Sequence, residues 1–314
     1  MSLSSELLTG PLSGLAAPAG LCCPVCRGRL LAEDESLECL RCGRGYGRVH
    51  GVPCLIDPES TIFDQNPPPA PTPSLAARLL PSLSGNPVSR GNYRRFVDLL
   101  LAECRRPRVL VLGGAAVGQG LAPFLDHPLI EWVETDVFPS ARTDLLCDAH
   151  MVPFEDASFD GVVAQALLEH TLDPARVVEE IRRVLRPTGM VYAETPFIQQ
   201  VHAGAYDFTR YTHLGHRRLF RYFTEVESGP ACGPGMALAW TWQAFLTSFV
   251  GGRRGRQAAA LIARLTAWWL KWLDPLLVRR RACYDTASSF YFWGRRSERA
   301  LDDRALIASY RGLQ

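Results

Sequence analysis

Residues 108–120 decide the fold, and they read Arg-Val-Leu-Val-Leu-Gly-Gly-Ala-Ala-Val-Gly-Gln-Gly. The first five residues predict a short buried strand, and a glycine-rich turn follows. Such a turn lets a ligand approach the backbone closely and presents the free N–H groups at the start of a helix. Because dinucleotide-binding and other nucleotide-binding folds use similar turns, the neighbouring segments must decide between them.

Around this stretch, short apolar runs alternate with helical patterns over residues 91–230. Alternation of this kind predicts an α/β fold with a parallel sheet. Asp173 is the predicted N-cap of one helix, with Pro174 in its first position and Pro187 and Gly189 at its end. The other predicted elements are a helix over 92–104 and strands over 130–135, 159–165 and 190–195.

One carboxylate stands where a nucleotide-binding fold needs it. Asp136 directly follows the second predicted strand. At that position a carboxylate can accept hydrogen bonds from both hydroxyls of a ribose. The feature suits NAD as well as other adenosine cofactors.

An ordered series of motifs narrows the choice. It consists of Cys147-Asp-Ala-His-Met-Val-Pro-Phe154, then residues 156–163 (Asp-Ala-Ser-Phe-Asp-Gly-Val-Val), Ala166-Leu-Leu-Glu-His170 and residues 181–189 (Ile-Arg-Arg-Val-Leu-Arg-Pro-Thr-Gly). Over residues 107–224 this series resembles class I S-adenosylmethionine-dependent methyltransferases. The resemblance implies a Rossmann-like sheet, S-adenosylmethionine as cofactor and methyl transfer as the activity.

The resemblance also implies roles for single residues. Asp148 would contact the adenine amino group, the Ala149 backbone an adenine ring nitrogen, and Asp136 the ribose. The turn, with Gly113, Gly114, Ala115 and Gly118, would pass beside the methionine moiety, and Gln165 and Leu167 would line the cofactor near its sulfonium. Val111 departs from the family, which has an acidic residue there and a more compact turn, so the methionine end is expected to differ.

A second site is indicated near the N-terminus. Cys23-Pro-Val-Cys26 and Cys39-Leu-Arg-Cys42 are two paired-cysteine motifs separated by twelve residues. Each pair can place two thiolates on one metal, and four thiolates suit a structural, tetrahedral zinc ion. The alternatives are redox dithiols or buried thiols. Gly28 and Gly43 follow the second cysteine of each pair, where a permissive backbone is expected.

Two further cysteines lie near these pairs. Cys22 could replace Cys23 only with poorer spacing, and Cys54 falls outside the pattern and is expected in the core. Residues 21–57 resemble the small zinc-ribbon activator proteins that partner methyltransferases. The resemblance rests on the four cysteines and on residues 46–53 (Tyr-Gly-Arg-Val-His-Gly-Val-Pro).

The acceptor side is expected beyond the strand at 190–195, because ligands in such folds bind outside the carboxyl ends of the strands. His170 and His202 are the candidate bases, since histidine titrates near neutral pH, and Asp207 is the candidate that orients them. Alternatively, Asp207 and Arg210 form an ion pair that pins the loop. Methyl transfer by proximity alone, with no base, is a third alternative.

Residues 233–283 form a predicted helical insertion between the last two strands, which the family resemblance makes an antiparallel hairpin at one edge of the sheet. Such an aromatic and basic segment can lie in a membrane interface, cap an apolar acceptor pocket, or pack as ordinary core. Its aromatic residues are Trp240, Trp242, Phe245, Phe249, Trp268, Trp269 and Trp272, and its basic residues include Arg253, Arg254, Arg256, Arg264 and Lys271.

The composition is that of a globular protein, with 314 residues, 47% hydrophobic and 21% charged, and a net charge of +2. The predicted organisation is a zinc ribbon over 1–59, a Pro-rich linker over 60–90 and a methyltransferase domain over 91–314. We expect a cytoplasmic protein, since the sequence shows no signal peptide and no spanning segment, with peripheral contact to a membrane as an option.

The sequence therefore predicts a methyltransferase that acts on an oxygen or nitrogen of a small-molecule, lipid or glycan acceptor. An apolar or lipid-linked acceptor is favoured by the insertion. No specific nucleic-acid partner is expected, because a nearly neutral chain has no basic stripe. The alternatives are an RNA or protein methyltransferase and a non-catalytic adaptor with an altered cofactor turn.

Overall fold

The strand before the glycine-rich turn lies inside a seven-stranded sheet in the computed structural model, which describes residues 18–32, 36–57, 59, 62–63, 81–116, 118 and 120–314. The strands of this sheet are β6 Arg108–Leu112, β7 Glu131–Asp136, β8 Leu145–Leu146, β9 Phe159–Gln165, β10 Leu185–Pro196, β11 Phe223–Cys232 and β12 Ser289–Arg296. In the described part of the chain their order is β11-β12-β10-β9-β6-β7-β8.

The direction of the strands agrees with the predicted class. Strands β6 to β10 run parallel, whereas β12 pairs antiparallel with both β10 and β11. The α/β fold and the antiparallel edge hairpin predicted from the sequence are therefore confirmed. The helices are α1 Ser89–Glu103, α2 Pro174–Val184, α3 His213–Leu219, α4 Pro234–Ser248, α5 Gly252–Ala267, α6 Asp274–Leu277, α7 Cys283–Thr286 and α8 Asp303–Ala308.

Helix α2 shows how local sequence sets an element. The Asp173 side chain accepts a hydrogen bond from the Arg176 N–H at 3.1 Å, and Pro174 occupies the first turn. The apolar face, including Val177 and Ile181, is buried against the sheet. One boundary differs from the prediction, because β10 begins at Leu185 and shifts register before Met190.

The N-terminal segment packs on the same face of the sheet as α2. It holds the short strands β1 Leu30–Ala32, β2 Leu37–Cys39, β3 Gly45–Tyr46, β4 Arg48–Val49 and β5 Val52–Pro53. Cys23, Tyr46 and Leu55 share one hydrophobic core with the sheet. Arg27 Nη2 also donates to Glu180 Oε1 of α2 at 3.0 Å. The ribbon is thus joined to the sheet through apolar burial and polar contacts.

The insertion between β11 and β12 is helical, as predicted. Asp274 is buried and accepts hydrogen bonds from the N–H groups of Gly235 at 2.8 Å and Met236 at 3.0 Å, which fixes the start of α4. A Cβ on Gly235 would lie 2.2 Å from the Leu270 carbonyl oxygen, so glycine is needed for this close approach. Among the described helices, none is long and apolar enough to cross a membrane.

Two buried histidines of α3 give the fold a dependence on pH. Burial lowers the pKa of His213 to about 4 and that of His216 to about 3. Both are therefore neutral in the folded protein, whereas an unfolded histidine titrates near 6.5. Their contribution to stability is complete above about pH 6.5 and is lost as the pH falls towards the folded values.

We expect His216→Phe to flatten this dependence, because phenylalanine suits the packing against Phe220 and Phe292 and cannot take up a proton. The slope of unfolding free energy against pH should fall by about 1.4 kcal/mol per pH unit between pH 6 and 4. Urea unfolding at several pH values measures this slope. An unchanged slope in the variant would show that His216 does not carry the effect.

Candidate active site

The glycine-rich turn is folded against the end of β7. The N–H groups of Gly113 and Gly114 donate to the Thr135 carbonyl oxygen at 2.9 and 3.0 Å. Gly113 has a φ of +79°, which favours glycine. A Cβ at this position would also lie 3.3 Å from Leu167 Cδ1. The predicted neighbours Gly113 and Leu167 are therefore brought together.

Asp136 ends β7 and holds the turn. Its Oδ2 accepts from the Ala115 N–H at 2.9 Å, and its Oδ1 accepts from the Phe138 N–H at 2.9 Å. Burial raises the pKa of Asp136, although these backbone hydrogen bonds oppose the shift. Since a carboxylate has about four acceptor sites, it keeps capacity for the ribose hydroxyls after these two bonds. The ribose contact itself stays a prediction.

Asp148 lies just beyond β8, at the neighbouring strand end. Its Oδ1 accepts from the His150 N–H at 2.9 Å and lies 2.6 Å from His150 Nδ1. These contacts cap the short 3-10 turn Ala149–Met151, in which Ala149 is buried. The structure thus places Asp136 and Asp148 at adjacent strand ends, as an adenosine site requires. Their contacts with the cofactor remain predicted.

A third carboxylate at this edge was missed in the sequence. Glu134 of β7 is the register partner of Val111, the position where the resembled family has an acidic residue. Glu134 is buried beside Gly114, and its Oε1 accepts from Arg142 Nε at 2.9 Å. Its Oε2 has no hydrogen-bond partner among the described residues. The neighbouring strand therefore places a buried carboxylate beside the glycine-rich turn.

A cleft of ≈ 180 Å³ leads from the turn towards the predicted acceptor side. Gln165 lies at its centre and donates from Nε2 to Glu194 Oε2 at 2.7 Å. Glu194, at the end of β10, is buried and also accepts from the Tyr192 hydroxyl at 2.6 Å. The residues that line this cleft include Gly118, Gln165, Glu169, Glu194, His202 and Met236.

Glu194 is the second residue that sequence reasoning missed. The sequence feature that indicates it is a carboxylate inside an otherwise apolar strand. Burying an acidic group is costly unless it has partners, so such a residue is expected to have a specific role. Asn86 Nδ2, from the segment before α1, donates to the same carboxylate at 2.9 Å. Burial raises the pKa of Glu194. The hydrogen bonds to Glu194 therefore lie within the wall of the cleft and are shielded from solvent.

The structure brings the two candidate bases together. Their Nε2 atoms lie 3.1 Å apart, although His170 and His202 are 32 residues apart in sequence. His170 Nδ1 contacts the Tyr206 carbonyl oxygen at 2.8 Å. Burial lowers the pKa of His170, which favours its neutral form. His202 lines the cleft, and His170 lies behind it in contact with its imidazole.

Both predicted contacts of Asp207 are present. Its Oδ2 accepts from Arg210 Nη2 at 2.8 Å and from the His202 N–H at 2.8 Å, and Arg210 Nη1 contacts its Oδ1. The Arg210 guanidinium holds the pKa of Asp207 well below its usual range. Asp207 thus pins the loop and also lies 3.4 Å from His202 Nδ1.

Glu169, in the short 3-10 turn Leu168–His170, is buried. A glutamate at a helix start is usually explained by the favourable helix dipole at the surface, yet Glu169 is only 1% exposed. Neither of its carboxylate oxygens has a hydrogen-bond partner among the described residues. Burial raises its pKa to about 8. It faces the histidine pair instead of solvent.

The four paired cysteines also converge. All four sulfur atoms lie within 4.8 Å of one another, with Cys26 and Cys39 Sγ at 3.4 Å and Cys23 and Cys42 Sγ at 3.7 Å. These separations suit four thiolates around one zinc ion at about 2.3 Å. Sequence-adjacent Cys22 lies outside the cluster.

Gly28, Gly43 and Cys54 of the ribbon segment have different structural roles. Gly43 has the positive φ expected, +69°, whereas Gly28 is needed for space, since a Cβ there would lie 2.9 Å from Cys39 Sγ. The sequence predicts that Gly28 is needed for its permissive backbone, whereas the structure shows that it is needed because its neighbours pack closely. Cys54 is buried in a separate small core, as predicted.

Comparison with known proteins agrees with the geometry. Residues 125–193 match a family model described as a methyltransferase domain. An uncharacterized methyltransferase of Mycobacterium bovis is 39% identical over 104 residues, which are 30% of this chain and 41% of that protein. An uncharacterized 37.1 kDa protein in a transposon of Streptomyces fradiae is 39% identical over 62 residues, 20% of this chain and 18% of that protein. The chain therefore spans less than half the length of these relatives.

Solved structures with a similar arrangement include two methyltransferases. Phosphoethanolamine N-methyltransferase 2 of Haemonchus contortus is 13% identical, covers 69% of this chain and 55% of its own, and has a TM-score of 0.42. The 1,6-didemethyltoxoflavin N1-methyltransferase of Burkholderia thailandensis is 15% identical, covers 67% and 84%, and has a TM-score of 0.38.

Proposed function

We propose that this chain, which carries a methyltransferase domain, transfers the methyl group of S-adenosylmethionine to an oxygen or nitrogen of an acceptor. The observation that carries the proposal is the cleft that joins Gly118 of the glycine-rich turn to His202, whose imidazole contacts that of His170. Adenosine would lie over the ends of β7 and β8, and the acceptor would enter at the histidines. The residues at the cofactor end are Asp136 and Asp148.

The chemistry needs alignment and a place for one proton. A lone pair on the acceptor forms the new bond to the methyl carbon while the carbon–sulfur bond breaks, and its electrons neutralise the sulfonium. The acceptor proton then leaves to a base. The lowered pKa of His170 keeps its imidazole neutral near pH 7, as a base must be. Gln165 and Glu194 would position the reacting groups in the cleft.

The zinc-ribbon segment fits a structural zinc ion. Four converging thiolates form a closed shell, which leaves no coordination site for a substrate. The ribbon shares a core with the sheet and lies on the α2 face. We therefore assign zinc a role in folding and give it none in the transfer.

The insertion favours an apolar or lipid-linked acceptor. Met236 of α4 lines the cleft, so the insertion begins at the acceptor mouth. It also exposes many large apolar side chains, which is unusual for a monomer surface. Those at least 37% exposed in α4 and beyond include Leu238, Trp242, Phe245, Phe249, Ile262, Leu265, Trp268, Trp269, Trp272 and Leu276.

The charge of this segment complements an anionic bilayer. Residues 233–283 contain eight Arg or Lys against one acidic residue, Asp274, which is buried, whereas the whole chain carries only +2. Exposed aromatic side chains beside arginines are the composition of an interfacial helix. The occupant that we propose for this surface is thus an anionic lipid membrane, from which the acceptor would reach the cleft.

Vesicle binding tests this surface. We expect the triple variant Phe249→Ser, Trp272→Ser, Leu276→Ser to bind anionic vesicles at least about tenfold more weakly, because each side chain loses apolar area that the bilayer would bury. Co-sedimentation with phosphatidylglycerol vesicles measures the change. The affinity for S-adenosylhomocysteine should stay the same.

The matched control is Ile307→Ser with Leu313→Ser, whose side chains are 69% and 65% exposed outside the insertion. This control should bind vesicles like the wild type. Equal binding by the wild type and the triple variant would contradict the membrane surface. Tight binding of RNA but not of vesicles would contradict it as well, and would favour an RNA acceptor.

The acceptor class is tested with methyl-labelled S-adenosylmethionine. We would incubate the protein with the lipid and the aqueous fractions of a cell extract and follow the label. Label in the lipid fraction, lost in a Gln165→Ala variant, supports the proposal. Label confined to water-soluble compounds would contradict a lipid acceptor while leaving methyl transfer intact.

A further inference from the structure

We propose that Glu169, His170 and His202 form a second metal site, separate from the cysteines, for a divalent first-row transition ion. Glu169 and His202 line the cleft, His170 contacts His202, and the ligand atoms of all three lie within 4.8 Å of one another. The site itself stands on side-chain geometry alone. Its use in catalysis rests on the proposed methyl transfer.

The three ligand atoms have the spacing that a metal needs. His170 Nε2 and His202 Nε2 lie 3.1 Å apart, and Glu169 Oε1 lies 3.7 and 3.9 Å from them. The point equidistant from all three is about 2.1 Å from each, which matches the distance of zinc to imidazole nitrogen and carboxylate oxygen. A point at bonding distance from all three ligand atoms therefore exists in their common plane.

The other ring nitrogens set the tautomers. His170 Nδ1 faces the Tyr206 carbonyl oxygen at 2.8 Å, while His202 Nδ1 faces the Gln200 carbonyl oxygen at 3.3 Å and Asp207 Oδ2 at 3.4 Å. Because these partners only accept hydrogen bonds, both Nδ1 atoms carry the proton. Two Nε2 lone pairs then point at each other. Metal-bound histidines are usually held in this way by a carbonyl or a carboxylate.

Glu169 supplies an independent observation. Its carboxylate is 1% exposed and lacks hydrogen-bond partners among the described residues. The nearby Arg210 guanidinium is occupied by Asp207 and by backbone carbonyl groups. Buried carboxylates are normally paired or bound to a metal. An ion between the imidazoles would stabilise the ionised form of this carboxyl group and give it a partner.

A proton shared by the two histidines is the simplest alternative. It would relieve the opposed lone pairs, yet it leaves the buried carboxylate of Glu169 without a partner. The metal accounts for all three side chains at once. Two histidines and one carboxylate are a common ligand set for zinc and for non-haem iron(II).

Three protein ligands leave coordination positions open towards the cleft. An acceptor hydroxyl could bind there, and the ion would lower its pKa, so that the oxygen attacks the methyl carbon as an alkoxide or phenoxide. With the ion bound, His170 would be a ligand and not the base, so the proton would leave to solvent or to Glu194, which also lines the cleft. The site thus favours an oxygen acceptor over nitrogen.

The test is metal content of the full chain after loading with zinc and, separately, with cobalt(II). We expect two equivalents in the wild type and one in His202→Ala or Glu169→Gln. Thiolate-to-cobalt absorption should persist in both variants, since it reports the four-cysteine site. His127→Ala, outside the cluster, is the control and should keep two equivalents.

The affinity for S-adenosylhomocysteine separates this inference from the proposed function. Variants that lose one metal but keep that affinity support the second site. One equivalent in the wild type, with no further zinc, cobalt(II) or anaerobic iron(II) bound at about 100 µM, would overturn it and assign the pair a shared proton. Failure of the wild type to bind S-adenosylhomocysteine would contradict the proposed function without touching the metal site.

Discussion

Cys39→Ser should release the zinc ion and lower the melting temperature by about 10 °C or more. Cys39 is buried, and its sulfur lies 3.4 Å from that of Cys26. Structural zinc contributes about 10–16 kcal/mol in zinc-finger peptides, which is as large as the whole stability of many domains. Loss of only about 4 kcal/mol already shifts the melting temperature of a larger domain by roughly 8–16 °C.

The effect should extend beyond the ribbon. Cys39 and Tyr46 belong to the same hydrophobic core as Phe154 and Ile181, so loss of the metal exposes one face of the sheet. Zinc analysis and thermal unfolding measure both consequences. Cys104→Ser is the matched control, because this half-buried thiol ends α1 away from the cluster. A Cys39→Ser protein that retains the ribbon zinc would contradict the assignment.

Asp136→Ala should weaken binding of S-adenosylhomocysteine about 30- to 150-fold. Two hydrogen bonds from ribose hydroxyls to a buried carboxylate are worth about 2–3 kcal/mol. The carboxylate also holds the turn through the Ala115 N–H at 2.9 Å, so its removal loosens both contacts. Isothermal titration calorimetry measures the affinity.

Two variants calibrate this result. Asp136→Asn keeps an acceptor oxygen without the charge and should lose less affinity than Asp136→Ala. Asp126→Ala removes an exposed carboxylate that pairs with Arg142 and should have no effect on binding. Equal affinity in the wild type and in Asp136→Ala would remove Asp136 from the cofactor site.

Much of the fold follows from local patterns. Strand β6, the Asp173 cap and the paired cysteines are predictable because each depends on residues close in sequence. The burial of the strand residues and the register of the strands follow once the alternation of strands and helices is recognised. The boundary at Leu185 was missed, since Leu185 already pairs with β9 and the pairing resumes at Met190 only after a Pro-Thr-Gly segment that normally ends an element.

The site depends on contacts that no local pattern contains. Glu134, Glu169 and Glu194 each read as one acidic residue in an ordinary segment, and only the fold shows that all three are buried. The approach of His170 to His202 likewise requires the loop after β10 to lie against the segment that follows β9. Their chemistry is visible in the sequence, but their proximity is not.

The insertion, too, is predictable from the sequence only in part. Its aromatic and basic composition is evident from the sequence, whereas its exposure is decided by which faces pack. Ala239, Ala259 and Ala263 face inward, and Phe249 and Trp272 face outward with 73% and 66% exposure. Small residues thus hold the helices together and leave the large ones free for a partner.

Calorimetric titration of the zinc-loaded wild-type chain with S-adenosylhomocysteine, beside a parallel titration with NAD, is the most direct test that this is a methyltransferase. The Gly113 turn, Asp136 and Asp148 predict one site per chain for S-adenosylhomocysteine, and the match of residues 125–193 to a methyltransferase-domain model predicts no binding of NAD. Absence of binding by a chain whose thermal unfolding shows it to be folded, or binding of NAD in its place, would contradict the proposed function.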